Sequence, residues 1–404
     1  MRLLIDNKLI PSLSFILGVA ICVSTSVISI SYTLIAVLVL FKKDLLVLIQ
    51  QTIKNKYILG SLILYLALII GTFWSVASSA EIVKMLIKEI GFLLAPLFLI
   101  AFQTNNSGKL FLKGFVIGAV FTAMLSLISC MTNHHILYGI RDHTWVVFHG
   151  HILHNAFLAI AASFLLMFIF EKKLTKLTRF YALLAYLICF IDVMFVVTGR
   201  TGQIMLLVMS AFLVVYRFKS RGLIFLVVVA VALTPFLLKS PAVQKGIADY
   251  KYDMQRYEQG NTVTSMGLRR EFRQNSLELI KAKPIFGYGT ASFTKVYKDH
   301  TGYNGPRAAT NPHSDLLTFG VELGILGVIA FISFIVLVIM NLLQLRWFYK
   351  GMGLTIMLGY LLASLQNSFF VDNVTGLAFI FLIISLIAAS NTHRHCEQSS
   401  AIPS

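Results

Sequence analysis

From residue 10 onward one pattern recurs: a long apolar run, then a short polar connection. The runs lie at 10–25, 27–41, 57–75, 86–102, 111–131, 152–170, 180–198, 202–217, 222–238, 318–343, 351–370 and 374–390. A helix needs roughly 20 mostly apolar residues to cross a bilayer, so each run is a candidate span. A β-barrel would show short alternating segments instead. The pattern predicts an all-α polytopic membrane protein of about twelve transmembrane helices. The stretch from Pro11 to Leu40 carries no charge, and it reads equally as one long tilted helix or two short ones. The N-terminal run has the look of a signal peptide, but no small-residue cleavage site opens onto a soluble domain. It is expected to stay as the first membrane helix.

Charge in the connections adds orientation. Lys42, Lys43, Lys54 and Lys56 follow the second span, and Lys109 and Lys113 the fourth. Lys172, Lys173, Lys176 and Arg179 follow the sixth, Arg217, Lys219 and Arg221 the eighth, and Arg346 and Lys350 the tenth. Basic short loops face the cytoplasm. Twelve spans then put every even connection and both termini inside, in a bacterial inner membrane. The expected organisation is helices 1–9 over 1–238, a large periplasmic loop with short helices over 239–314, helices 10–12 over 315–390, and a cytoplasmic tail over 391–404.

Composition agrees: 57% of the 404 residues are hydrophobic, 13% are charged, and mean hydropathy is +0.81. A soluble domain could not hide that much apolar surface. The four cysteines are scattered and form no C-x-x-C pair, which implies neither a disulfide framework nor a zinc site. Net charge is +17. The 239–314 loop carries twelve Lys/Arg against six Asp/Glu, on the outer side, where loops beyond about 60 residues escape the orientation rule. An anionic partner at the outer membrane face, phosphate above all, is one reading; contact with anionic membrane lipids is the other. Nucleic acid is not an expected partner.

Candidate chemistry collects on that side. Arg200 is the one charge in TGRTGQ, a tight turn between two spans. Such a residue at the membrane edge is either functional or an interface anchor. The segment Leu268 to Lys281 reads as a helix ended by Pro284 and Gly287. It sets Arg269 and Arg273 on one face, with Arg270 three residues from Arg273, while Phe272 and Leu279 pack it down. Guanidinium forks bind phosphate oxygens bidentately; lipid phosphates would also satisfy them. In NPHSDLLTFGVELGILG, His313 precedes a span and is the side chain suited to be a general base near neutral pH, or simply a cap. Ser314 or Asp315 would cap the span, Glu322 lies one to two turns inside, and Gly324 and Gly327 allow close helix packing. Arg141, Asp142, His143, His149, His151 and His154 form a second cluster without the Cys or carboxylate pairs of a metal site, so no metal is expected. Lys84 and Lys88 share a face of an interfacial helix near 78–89. Asp372 lies in QNSFFVDN between the last two spans.

Three of these patches carry a resemblance. Arg200 in a short outer turn, an Arg-led helix from Arg269 running into PIFGYG, and a His-led Glu-x-Gly-x-x-Gly helix, HSDLLTFGVELGILG, together resemble the O-antigen ligase and polymerase superfamily of membrane glycosyltransferases. Their order and the large outer loop before the His match as well. NTVTSMGLR is more similar to the ligases of the superfamily. Ser314 stands where the family usually has Asn, and Asn367 and Asp372 compete for the acidic position near the last outer turn. The resemblance implies transfer of a glycan from undecaprenyl diphosphate to a sugar hydroxyl of lipid A–core at the periplasmic face, in lipopolysaccharide biosynthesis, with inversion and without metal or other cofactor. His313 would be the catalytic base. Arg200, Arg269, Arg270 and Arg141 would bind the donor diphosphate, with Arg273, Glu322 and Asp372 supporting. The alternatives are an O-antigen polymerase, a protein O-oligosaccharyltransferase, and a lipid-linked glycan flippase or transporter. A transporter would place charge at the membrane midplane and show an inverted repeat; this chain gathers its charge at the outer face.

Overall fold

The computed structural model describes residues 8–135, 145–172, 174–197, 199–239, 241–259, 265–303 and 308–400. These residues contain helices and no strand. In chain order the helices are α1 (Ile10–Val23), α2 (Thr25–Leu40), α3 (Leu45–Ile53), α4 (Lys56–Gly71), α5 (Ser79–Lys88), α6 (Ile90–Gln103) and α7 (Ser107–Thr132). Then follow α8 (His151–Ile169), α9 (Lys176–Ile191) with a π-helical turn Asp192–Val196, α10 (Arg200–Phe218), α11 (Ser220–Lys239), α12 (Pro241–Glu258), α13 (Ser265–Ala282) and α14 (Phe293–Thr301). The last three are α15 (Asp315–Leu342), α16 (Trp347–Ser364) and α17 (Asn373–Ser400).

Each of the twelve expected apolar segments overlaps a helix, though 86–102 begins in α5 before continuing as α6, and 351–370 runs past the end of α16 at Ser364. Among the described residues, seven helical stretches are long and apolar enough to cross a membrane, and Ile10–Val23, Thr25–Leu40 and Ser220–Ala232 are shorter apolar helices. The protein is a polytopic membrane protein. The uncharged 11–40 stretch is two helices. Ser24 is extended (φ −158°, ψ 119°), and its hydroxyl accepts the Val27 N–H at 3.4 Å to start α2. The 239–314 loop is more helical than its polar composition suggests. α12 was hidden there, and α13 begins three residues before the expected start at Leu268.

α17 and α8 sit at the centre of the bundle, where 89% and 72% of their most apolar windows are buried; α9 lies at the rim with 22%. Two ends result. At one, Lys42 Nζ donates to Thr104 Oγ1 (2.8 Å) and the Arg217 guanidinium lies over the Trp347 ring (5.8 Å), so basic connections meet each other. At the other, the Val76 N–H donates to the Tyr288 carbonyl (3.1 Å) and the Asn367 amide reaches Thr201 Oγ1 (3.5 Å).

A break in α15 organises this second end. Gly324 has φ +61° and ψ −150°, a region that only glycine enters without strain. The break frees backbone groups of α15, and the PIFGYG turn takes them. The Ile325 N–H goes to the Pro284 carbonyl (2.8 Å), the Tyr288 N–H to Val321 (3.1 Å) and the Gly289 N–H to Glu322 (2.6 Å). Gly287, at φ +64°, passes so close that a Cβ there would lie 2.5 Å from the Val321 carbonyl. The other side of the turn is held by Trp74 Nε1, which donates to the Phe286 carbonyl (2.9 Å), and by Thr290 Oγ1, which donates to Leu68 (2.7 Å). Gly324 therefore permits close approach of a turn, rather than of another helix as its spacing suggests.

Candidate active site

His313 sits on a strained backbone, with φ +53°, a value uncommon outside glycine. Its N–H donates to Asn311 Oδ1 (2.8 Å), the local turn that Asn-Pro sequences favour, and its ring stacks at 5.8 Å on Phe272 of α13. Burial, and then the nearby Arg269 cation, hold its pKa below the ordinary imidazole value. Both act in one direction because the imidazolium is the disfavoured form. The neutral base is thus favoured.

α13 is amphipathic. Phe272 and Leu279 are buried with Phe293 and Tyr297 of α14 and Val321 of α15. That contact turns Arg269, Arg270 and Arg273 toward a cavity of about 470 Å³, which His313 also lines. Arg273 Nη2 donates to the Leu365 carbonyl at the end of α16 (3.2 Å). Arg200 opens α10. Behind it the Asn155 amide donates to the Val197 carbonyl (3.0 Å), and Gly199 and Gly202 pack directly on Asn155. Burial, followed by the Arg200 cation, lowers the Arg269 pKa. Guanidinium stays charged near neutral pH regardless. The shift therefore marks two neighbouring cations whose repulsion an anion would relieve.

On the far side of His313 lies a second cavity of about 520 Å³, lined among others by Lys84, Lys88, Asn311, Glu322, Asn367 and Asp372. Among the described residues, His313 is the one that lines both. Glu322 is buried, and its carboxylate accepts the Ala291 N–H (3.1 Å) just before α14. It thus ties the loop to the broken helix whose own carbonyls hold PIFGYG.

Neither Ser314 nor Asp315 caps α15 through its side chain. Ser314 occupies the cap position without such a bond. The Asp315 carboxylate instead accepts three N–H groups of the last outer turn, from Phe369 (2.9 Å), Phe370 (3.1 Å) and Val371 (3.1 Å). A fully buried carboxylate is costly unless it is hydrogen-bonded, and these three donors satisfy it. Nothing local in the sequence announces this partner more than fifty residues away. Arg141 lies outside the described residues, as do Asp142 and His143. Of the nearby histidines, His154 Nε2 pairs with Asp192 Oδ1 (2.8 Å) and His149 Nε2 lies 3.1 Å from the Ile21 carbonyl. Among the described residues no group of three or more His, Cys, Asp or Glu is arranged to hold a metal ion.

A helical bundle of this hydropathy, with arginines and buried carboxylates gathered around a histidine at one end, defines a polytopic membrane protein with a polar site at that end. Residues 184–332 match the family described as O-Antigen ligase, which supports membership of the O-antigen ligase and polymerase superfamily. The match spans Arg200, Arg269, Arg270, Arg273, His313 and Glu322. No curated protein matches the chain. Members of the family are membrane glycosyltransferase-like enzymes.

Proposed function

We propose that the protein is an O-antigen ligase. It moves a glycan from undecaprenyl diphosphate to a sugar hydroxyl of lipid A–core at the periplasmic face of the inner membrane. The observation that carries this reading is His313 as the shared wall of two cavities, one edged by Arg269, Arg270 and Arg273. A two-substrate transfer needs that division, with a base where the substrates meet.

His313 takes the proton from the acceptor hydroxyl. The oxygen attacks the anomeric carbon from the face opposite the diphosphate, and the bond from that carbon to the phosphate oxygen breaks with inversion. The departing diphosphate gathers negative charge. Arg200 and Arg269 stabilise it, helped by Arg270 and Arg273, and each well-aimed donor contributes roughly 3–4 kcal/mol. Glu322 and Asp372 support the acceptor side. The arginines supply the positive charge the leaving group requires.

The test is to delete the gene and examine the glycolipids. Loss of a ligase leaves polymer on undecaprenyl diphosphate and bare core on lipid A. Core capped by a single repeat unit would show a polymerase instead, and unchanged lipid A–core glycoforms would exclude both.

A further inference from the structure

The second cavity holds two lysines that the transfer chemistry does not use. Three carboxylates line it, and each is held at a helix N-terminus, where backbone N–H groups offset negative charge. Glu81 closes the capping box of α5, accepting the Ser78 N–H (2.9 Å) and hydroxyl (2.7 Å). Glu322 accepts the Ala291 N–H before α14, and Asp372 stands immediately before α17 with Thr375 Oγ1 at 3.3 Å. The lysines have less to answer them. Lys88 Nζ lies 3.7 Å from the buried Glu89 carboxylate and keeps a third of its side chain exposed. Lys84 is exposed and has no ion-pair partner among the described residues.

Lys84 and Lys88 are four residues apart and share one face of α5. Val83 and Ile87, on other faces, are 53% and 61% exposed. A helix with exposed apolar residues beside a cationic face lies in a membrane interface, so the lysines stand at headgroup height, beside His313. A lysine ammonium is a point charge that accepts an anion from many directions, unlike the fork of an arginine.

Resting on the ligase reading, we infer that Lys84 and Lys88 form an acceptor site for a glycolipid carrying a phosphate group near the hydroxyl presented to His313. The phosphates of bilayer lipids offer the same chemistry. The acceptor is the source favoured here, because the lysines line the cavity that His313 borders.

The test uses the full-length protein in nanodiscs with a polyprenyl-diphosphate glycan donor. Lipid A–core is supplied intact or after removal of its phosphates, in zwitterionic or anionic lipid. Lys84→Gln and Lys88→Gln should each raise the KM for intact acceptor about 2–5-fold, the scale of an exposed charge contact, with donor KM unmoved. Lys84→Arg should restore the wild-type KM. Dephosphorylated acceptor should show the raised KM with wild type already, and the glutamine variants should add nothing. Equal KM for the two acceptors with wild type would overturn the site, as would a lysine effect present only in anionic discs. Transfer to neither acceptor by the wild type would instead remove the ligase reading, and this inference with it.

Discussion

At the residue scale His313 and Arg269 are the two side chains on which the proposed transfer depends. Positioned general bases contribute about 10²–10⁴-fold. His313→Ala should lose at least about 10²-fold of transfer while the protein still inserts and elutes as wild type; wild-type levels of O-antigen on lipid A–core would remove His313 from catalysis. Its protonation gives a second test. A base works when neutral, and burial and Arg269 both disfavour the imidazolium. The acid limb of kcat/KM should therefore fall below the ordinary imidazole value of about 6.5. Arg269→Gln removes one of the two causes, so the limb of its residual activity should move up in pH; a limb that stays put would show that Arg269 does not act on the base. Arg269→Lys keeps charge but loses the fork, and full activity in that variant would reduce Arg269 to a general electrostatic role. Much of this was legible in the sequence, because a lone Arg in an apolar turn and a His before a span stand out chemically. The left-handed backbone of His313 and its stacking on Phe272 were not, since both depend on neighbours distant in sequence.

At the element scale, the joint between the PIFGYG turn and the broken α15 fixes the site. Both motifs are visible in the sequence as glycine patterns. That one fills the backbone positions the other vacates is not, because hydrogen-bond pairing across more than thirty residues leaves no periodic trace. A Cβ at Gly324 would run into the Ile285 carbonyl on a backbone at φ +61°. Gly324→Ala should thus cost on the order of 1–3 kcal/mol, seen as a lower detergent Tm and faster proteolysis within 284–292. A variant as stable and as protected as wild type would show that the break tolerates a side chain. Asp315 joins the other outer turn in the same way. Asp315→Ala strands three N–H groups, at about 1–3 kcal/mol for each left unsatisfied. α12 escaped the sequence reading for a different reason: its helix is polar, and polarity between spans reads as loop.

At the scale of the whole molecule, hydropathy made the helix bundle legible almost completely, since a bilayer imposes length and apolarity on each span independently of its partners. What hydropathy does not carry is which end gathers which connection; that came from loop charge, and the two ends of the bundle follow the same division. Basic connections meet at one end through Lys42 with Thr104 and Arg217 with Trp347. Val76 with Tyr288 and Asn367 with Thr201 meet at the other, beside His313. If positive loops face the cytoplasm, the site faces the periplasm, where a lipid-linked donor already flipped across the membrane would reach it. Single cysteines introduced into a cysteine-free background test this in intact spheroplasts. Lys298→Cys, exposed on α14, should react with a membrane-impermeant maleimide from outside. Lys219→Cys, between α10 and α11, should react only after the membrane is permeabilised. Both positions are exposed, so burial does not protect either one. Reversal of the two patterns would put His313 on the cytoplasmic face and rule out transfer in the periplasm. Labelling of both from outside would mean that the number of crossings between them is even, which would change the span count itself.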